Sequence, residues 1–147
     1  MIFLLSGCAV SSTHDPASAA ENAAYMPAPA LSVLALTNSH WHFTEIDGSA
    51  VPVGVDATLM FNGNGHVSGR AGCNSYGGTY QQTPDGTLHF GAILSTKMAC
   101  LQPPGVMQAE QAVFDAMRHT SRARMDAAEL VLLDVDGAKL ATLQTQH

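Results

Sequence analysis

Short apolar runs, each closed by a turn-forming pair of residues, limit the possible folds of this sequence more than any other feature. The strongest example is Asn62-Gly63-Asn64-Gly65, because Asn and Gly tolerate the positive φ that tight hairpins need. Pro84-Asp85-Gly86 and residues 134–137 punctuate the chain in the same way. The pattern predicts three antiparallel hairpins and a leading strand that ends at Asp47-Gly48. The predicted strands span residues 40–46, 58–61, 66–71, 78–82, 87–90, 129–133 and 139–143.

One segment has a different period. Between residues 106 and 117 the apolar positions recur at steps of three and four, which predicts one stripe of a helix near 105–118. Pro103 and Pro104 precede this stretch, where their missing N–H groups do no harm. The fold class predicted is therefore α+β, a single small domain with a mostly antiparallel sheet of about six to eight strands and one long helix. The stripe consists of Val106, Ala109, Val113, Ala116 and Met117.

Size and charge exclude several classes of protein. A chain of 147 residues is long enough for one ordinary core. Its formal net charge is -6 and its six Lys and Arg residues are scattered, so a nucleic-acid-binding surface is not expected. No apolar run approaches the roughly 20 residues that span a bilayer, so no transmembrane helix is expected.

The first eight residues, MIFLLSGC, read as the end of an apolar signal segment. Leu5-Ser6-Gly7-Cys8 resembles the bacterial lipobox, in which the cysteine carries the lipid. We expect residues 1–8 to be a truncated lipoprotein signal, 9–37 a flexible Ala/Pro/Ser tether, and 38–147 the folded domain. Ala9 is not the Asp that usually retains lipoproteins in the inner membrane, which favours the outer membrane. A chance apolar N-terminus is the alternative.

With Cys8 set aside for lipid, Cys73 and Cys100 remain, and three interpretations of the pair stay open. In an oxidising compartment they would form a disulfide that closes a loop of about 28 residues. They are otherwise two reduced, buried thiols, or a catalytic or metal-binding pair. Catalysis would require a base and an orienting partner, and neither occurs at a recognisable spacing.

His40 and His42 flank Trp41, so on a strand both imidazoles lie on the face opposite the indole. Together with His66 or His89 they would supply the three ligands of a catalytic zinc. Strand faces turned to solvent also carry histidine, and no paired spacing supports a metal. We therefore expect no metal and no cofactor.

These features, in this order, resemble the META domain of HslJ-like bacterial envelope lipoproteins. The resemblance spans residues 39–144, and its most specific part is S-G-x-x-G-C-N followed by T-x-M-x-C. The residues that carry this motif are Gly69, Gly72, Cys73, Asn74, Thr96, Met98 and Cys100, and Glu110 and Phe114 match further along.

The resemblance implies a small antiparallel α+β fold and an association with heat shock, other stresses or secretion. It brings no established catalytic activity, substrate or cofactor. We therefore expect a monomeric, non-catalytic lipoprotein of the outer membrane that faces the periplasm and binds an unidentified envelope partner. The alternative is a thiol- or zinc-dependent periplasmic enzyme that uses Cys73 or the face with His40 and His42.

Overall fold

A computed structural model describes residues 36–146. Within that range the chain forms ten strands and one long helix. Most strands alternate between buried and more exposed residues, as expected when one face of a sheet covers a core. The elements are β1 (Ser39–Ile46), β2 (Ser49–Ala50), β3 (Thr58–Phe61), β4 (His66–Arg70), β5 (Ser75–Gln82), β6 (Leu88–Phe90), β7 (Leu94–Ser95), α1 (Val106–His119), β8 (Arg122–Asp126), β9 (Glu129–Leu133) and β10 (Lys139–Thr145).

The strands form one antiparallel sheet in the order β6-β5-β4-β3-β1-β10-β9-β8, with β2 beside β1 and β7 beside β5. The first and last long strands, β1 and β10, therefore pair in the middle of the sheet. The two ends of the order meet at an antiparallel bridge between Thr87 and Arg122. Leu88 N–H donates to Ser121 O at 3.1 Å there. The sheet is nearly a closed barrel, which leaves little unpaired edge.

The core lies on the concave face of the sheet. Trp41 and Phe43 on β1 are 2% and 0% exposed, whereas the intervening His42 is only partly buried. Phe61 packs edge-to-face on Tyr80 with ring centroids 4.9 Å apart, a favourable aromatic geometry. The largest fully buried side chains are Phe43, Phe61, Leu36, Leu59, Leu88, Met117, Leu130, Leu132, Leu143, Val67, Val113 and Asn74.

Helix α1 buries the whole stripe predicted from its period, and Glu110 as well. It ends at His119, where the Thr120 hydroxyl donates to Ala116 O at 2.7 Å. Arg118 and His119 lie in the last turn, where positive charge is favourable to the helix dipole.

The expected fold class is confirmed, and so are the three expected hairpins β3–β4, β5–β6 and β9–β10. A fourth hairpin, β8–β9, was not predicted. Its turn uses Ala127 at φ 53, a conformation that turn prediction reserves for Gly, Asn and Asp. Sequence patterns also missed the two-residue strands β2 and β7, because two residues carry no period.

The folded part begins earlier than expected. Leu36, assigned to the end of the tether, is fully buried in the main core, and the Ser39 hydroxyl donates to its carbonyl oxygen. A tether that reaches residue 37 is therefore too long, since an apolar side chain at 36 gains by burial. Cys8, the signal segment and the tether up to residue 35 lie outside the described residues. Within residues 36–146 no helix is both long and apolar enough to cross a membrane.

Candidate functional site

Cys73 and Cys100 are joined by a disulfide, with an S–S distance of 2.02 Å and Cα atoms 5.7 Å apart. The sequence left open a disulfide, two buried thiols, or a catalytic or metal-binding pair, and the structure contains the disulfide. Cys73 is 2% exposed and packs in a small second core with Val55, Val106 and Ala109. The crosslink fastens the end of β4 to the segment that leads into α1.

The bend that places Cys73 depends on Gly72. Gly72 has φ +93, and a Cβ there would lie 3.1 Å from Val106 atoms of the helix. Both features favour glycine, because an L side chain rarely adopts that φ and would meet the helix. The backbone is fixed on both sides: Gly72 N–H donates to Asp56 O and Ala71 N–H to Asn74 O. Cys73 and Asn74 consequently lie beneath the first turns of α1.

Asn74 uses its whole amide group to hold residues 96–98. Its Oδ1 accepts the backbone N–H of Met98 at 2.7 Å and the hydroxyl of Thr96 at 2.8 Å. Its Nδ2 donates to Met98 O at 3.0 Å. Asn74 therefore satisfies both backbone polar groups of Met98. Met98 takes part through its backbone, and its own side chain is 58% exposed.

Glu110 completes this arrangement from the helix. Its Oε2 accepts the backbone N–H of Asn74 at 2.7 Å and its Oε1 accepts Nδ2 of Asn74 at 2.8 Å. The carboxyl group is buried, with Glu110 7% exposed, so these charge-assisted bonds offset its loss of hydration. We call the six residues of this assembly the motif cluster: Cys73, Asn74, Thr96, Met98, Cys100 and Glu110.

The sequence contained a signal for the buried carboxylate. Position 110 lies four residues after Val106 and three before Val113, inside the apolar stripe of α1. An acidic residue on the buried face of a helix requires a partner. Glu110 was noted only as part of the family resemblance, and no role was assigned to it.

Gly69 is explained by close packing. A Cβ at Gly69 would lie 2.1 Å from Thr58 O and 2.9 Å from the Tyr76 hydroxyl oxygen. The Tyr76 hydroxyl donates to that same Thr58 oxygen at 2.7 Å, and burial raises the pKa of Tyr76 above its usual value. The motif glycine therefore leaves room for a partly buried hydrogen bond between β3 and β5.

The polar atoms of the motif cluster are used within it. The sulfurs are bonded to each other, so neither is available as a thiolate nucleophile or metal ligand. The Asn74 amide and both Glu110 oxygens bond inside the cluster. This arrangement fixes three chain segments together, and the hydrogen-bonding capacity of these groups is spent on one another, whereas a reacting group would have to be free to meet a substrate.

The four histidines considered as zinc ligands lie on the convex face of the sheet, with His40 and His42 on β1, His66 on β4 and His89 on β6. His40 is exposed and opposite Met60, while His66 lies opposite Thr79 and His89 opposite Gln81. In the described part of the chain no three His, Cys, Asp or Glu residues are placed to hold a metal ion. The absence of zinc at His40 and His42 stays a prediction.

The fold and the motif cluster define a class of small α+β domains in which a nearly closed antiparallel barrel is tied to one helix. The family model for the META domain matches residues 34–147. The chain therefore belongs to the META domain family.

Solved structures agree on the fold. The chain is similar to a protein from Burkholderia xenovorans solved by NMR, with 28% identity, a TM-score of 0.63, and coverage of 83% of this chain and 92% of that one. A second NMR structure is 16% identical with a TM-score of 0.62, covering 78% and 94% of the two chains. A DUF4847 family protein from Bacteroides vulgatus is 15% identical with a TM-score of 0.52, covering 74% and 93%; these last two show the fold alone. The sequence matches no curated protein.

Proposed function

We propose that this META domain protein is a non-catalytic module of the bacterial cell envelope. Cys8 carries the lipid anchor in this proposal, and the domain faces the periplasm from the outer membrane. There the domain contributes to stress tolerance by binding another molecule. The observation that carries the proposal is the motif cluster, in which the residue types best suited to chemistry are instead bonded to one another.

The disulfide supports an extracytoplasmic location, because such crosslinks persist in oxidising compartments and are rare in reducing ones. LSGC at residues 5–8 and the Ala/Pro/Ser-rich stretch after it support attachment by lipid. The burial of Cys73, Asn74 and Glu110 supports a scaffold role, because a catalytic cysteine needs access and a depressed pKa.

Fractionation with lipid labelling tests the anchor. Cells that express the protein from its native locus are grown with a palmitate analogue, and the outer-membrane fraction is isolated. We expect the natural protein and Ser12→Ala, a matched change outside the lipobox, to incorporate the palmitate analogue and to associate with the membrane. Cys8→Ser should lose both. Retention of label and membrane association by Cys8→Ser would contradict the anchor.

The alternative of a zinc-dependent enzyme is tested by metal analysis of the gently purified protein. We expect no stoichiometric zinc, because within residues 36–146 no three potential ligands, His40, His42, His66 and His89 included, lie close enough together to hold a metal ion. About one zinc per chain, lost in His42→Ala and kept in His119→Ala, would support the enzyme instead.

A further inference from the structure

A groove of about 520 Å³ runs along one side of α1, between the helix and the segment that includes β7. The helix lines it with Glu110, Phe114 and Arg118, which share one face because they are four residues apart. The opposite wall is formed by residues 90–93 with Ser95 and Lys97. Its volume falls in the range of small-molecule sites.

Two of the six Lys and Arg residues of this acidic chain line the groove, Lys97 and Arg118. Among the described residues Lys97 has no ion-pair partner. Arg118 pairs with Asp115 at 2.7 Å, but the two side chains are 67% and 61% exposed. Such an exposed pair is weak, so Arg118 is free to exchange it for an anion in the groove.

The two cations lie toward opposite ends of the groove. Arg118 is about 12 Å along the helix from Glu110, at 1.5 Å per residue. Lys97 precedes Met98, whose backbone bonds to Asn74, and Asn74 in turn bonds to Glu110. Within residues 36–146, Glu110 is the only carboxylate that lines the groove, and both of its oxygens accept N–H groups of Asn74.

Between the cations the groove presents partly buried apolar side chains. Phe114 is held edge-to-face against the buried Tyr76, with centroids 5.7 Å apart. Phe90 packs against the buried Phe61 with centroids 6.2 Å apart, and Ile93 packs on the same core. Because the core fixes both rings, an apolar ligand would not have to order them, which lowers the entropic cost of binding.

We propose that this groove binds a small organic anion with an aromatic or short aliphatic body. Lys97 or Arg118 meets the anionic group, and Phe90 and Phe114 contact the body. This assignment names a ligand class for the binding role proposed above and rests on that role. It is independent of the lipid anchor, so a failure of either test leaves the other result interpretable.

The test is an NMR titration of the full 147-residue chain, oxidised and carrying Cys8→Ser, at physiological ionic strength. The probes are 4-phenylbutyrate, the uncharged 4-phenylbutan-1-ol and inorganic phosphate. We expect 4-phenylbutyrate to shift the amides of Gly91, Ile93 and Phe114 in a saturable way. The alcohol and phosphate should each bind at least about three-fold more weakly, since the alcohol lacks the negative charge and phosphate lacks the apolar body.

Variants locate the site. Of Lys97→Gln and Arg118→Gln, the variant that removes the cation in contact with the carboxylate should weaken 4-phenylbutyrate binding by about three-fold. Unchanged affinity in both variants would contradict the proposal. Arg124→Gln removes the same charge from exposed β8, away from the groove, and should change affinity by less than about two-fold. The absence of saturable shifts, equal binding of the alcohol or of phosphate, or an equal loss in Arg124→Gln would each overturn the proposal.

Discussion

Asn74 is the residue through which three separate parts of the chain are held together. It bonds to the segment at Met98 and to Glu110 of the helix while its own backbone continues into β5. Few other side chains offer both a donor and an acceptor on one rigid planar group. An aspartate at position 74 has the same shape, but it would lack the N–H donor and would place its carboxylate against that of Glu110.

A double-mutant cycle tests this pairing. Asn74→Asp should lower the free energy of unfolding by about 3 kcal/mol, because it sets two carboxylates against each other in a buried site. Glu110→Gln alone should cost about 1 to 2 kcal/mol by leaving one Asn74 donor without an acceptor.

In the double variant the glutamine amide can donate to the new carboxylate, so at least about 1 kcal/mol should be recovered relative to the sum of the single losses. Urea denaturation at neutral pH measures all four proteins. Simple additivity of the two losses would contradict the direct contact.

Two glycines of the same sheet provide a matched comparison. Gly69→Ala should destabilise the fold by about 2 kcal/mol or more, because its Cβ would lie 2.1 Å from Thr58 O and overpacking is costly. At Gly77 an added Cβ meets only Val67 O at 3.7 Å, so Gly77→Ala should change stability by less than about 0.5 kcal/mol. Thermal melts of both variants check this, and equal melting temperatures would argue against the close approach at Gly69.

At the scale of elements, the hairpins are specified by their turns. Asn62 N–H donates to His66 O at 2.8 Å, and Gly65 closes the β3–β4 turn at φ +73. In the β5–β6 turn the Thr83 hydroxyl and the Thr87 N–H donate to Asp85 and lower its pKa to about 2. Local hydrogen bonds of this kind explain why these turns were recognisable before any tertiary contact was known.

The β3–β4 turn contains its own control. Gly65→Ala should cost about 1 kcal/mol, because an L residue at that φ is strained. Gly63 does not have a positive φ, and a Cβ there would meet Asn38 Oδ1 at an ordinary 3.5 Å, so Gly63→Ala should be close to neutral. Melting temperatures of the two variants check this. A Gly65→Ala variant as stable as the natural protein would contradict the claim that position 65 requires glycine for its positive φ.

At the scale of the whole molecule, the disulfide links the sheet to the approach of the helix. Cys73 and Cys100 are 27 positions apart in sequence. A crosslink over such a loop is expected to add about 3 kcal/mol by restricting the unfolded chain. Thiol counting on protein isolated from the periplasm should find both cysteines oxidised.

Melts of Cys73→Ala, Cys100→Ala and the double variant test the contribution of the crosslink. Each single variant should lose about 3 kcal/mol, and the double variant should be little worse than either single one, because one bond is broken in every case. Two fully additive losses, or two free thiols in the isolated natural protein, would show that the crosslink does not stabilise the folded chain.

The features that could be predicted without the structure are those that depend on neighbouring residues. Turn pairs such as Asp47-Gly48, with φ 50 and 73, and the apolar stripe of α1 act over a few residues, so their outcome is independent of the rest of the chain. The motif residues were recognisable for the same reason, as a pattern of short spacings. The β8–β9 turn at Ala127 was not, since its conformation is imposed by strand pairing.

Which distant groups meet depends on how the whole chain folds. The pairing of Cys73 with Cys100, the bonds from Asn74 to Glu110 across 36 positions, and the groove between α1 and the β7 segment all depend on how the sheet curls. The free energy of these contacts comes from burial and from satisfying buried polar groups. Those terms belong to the assembled molecule, and no local window of the sequence contains them.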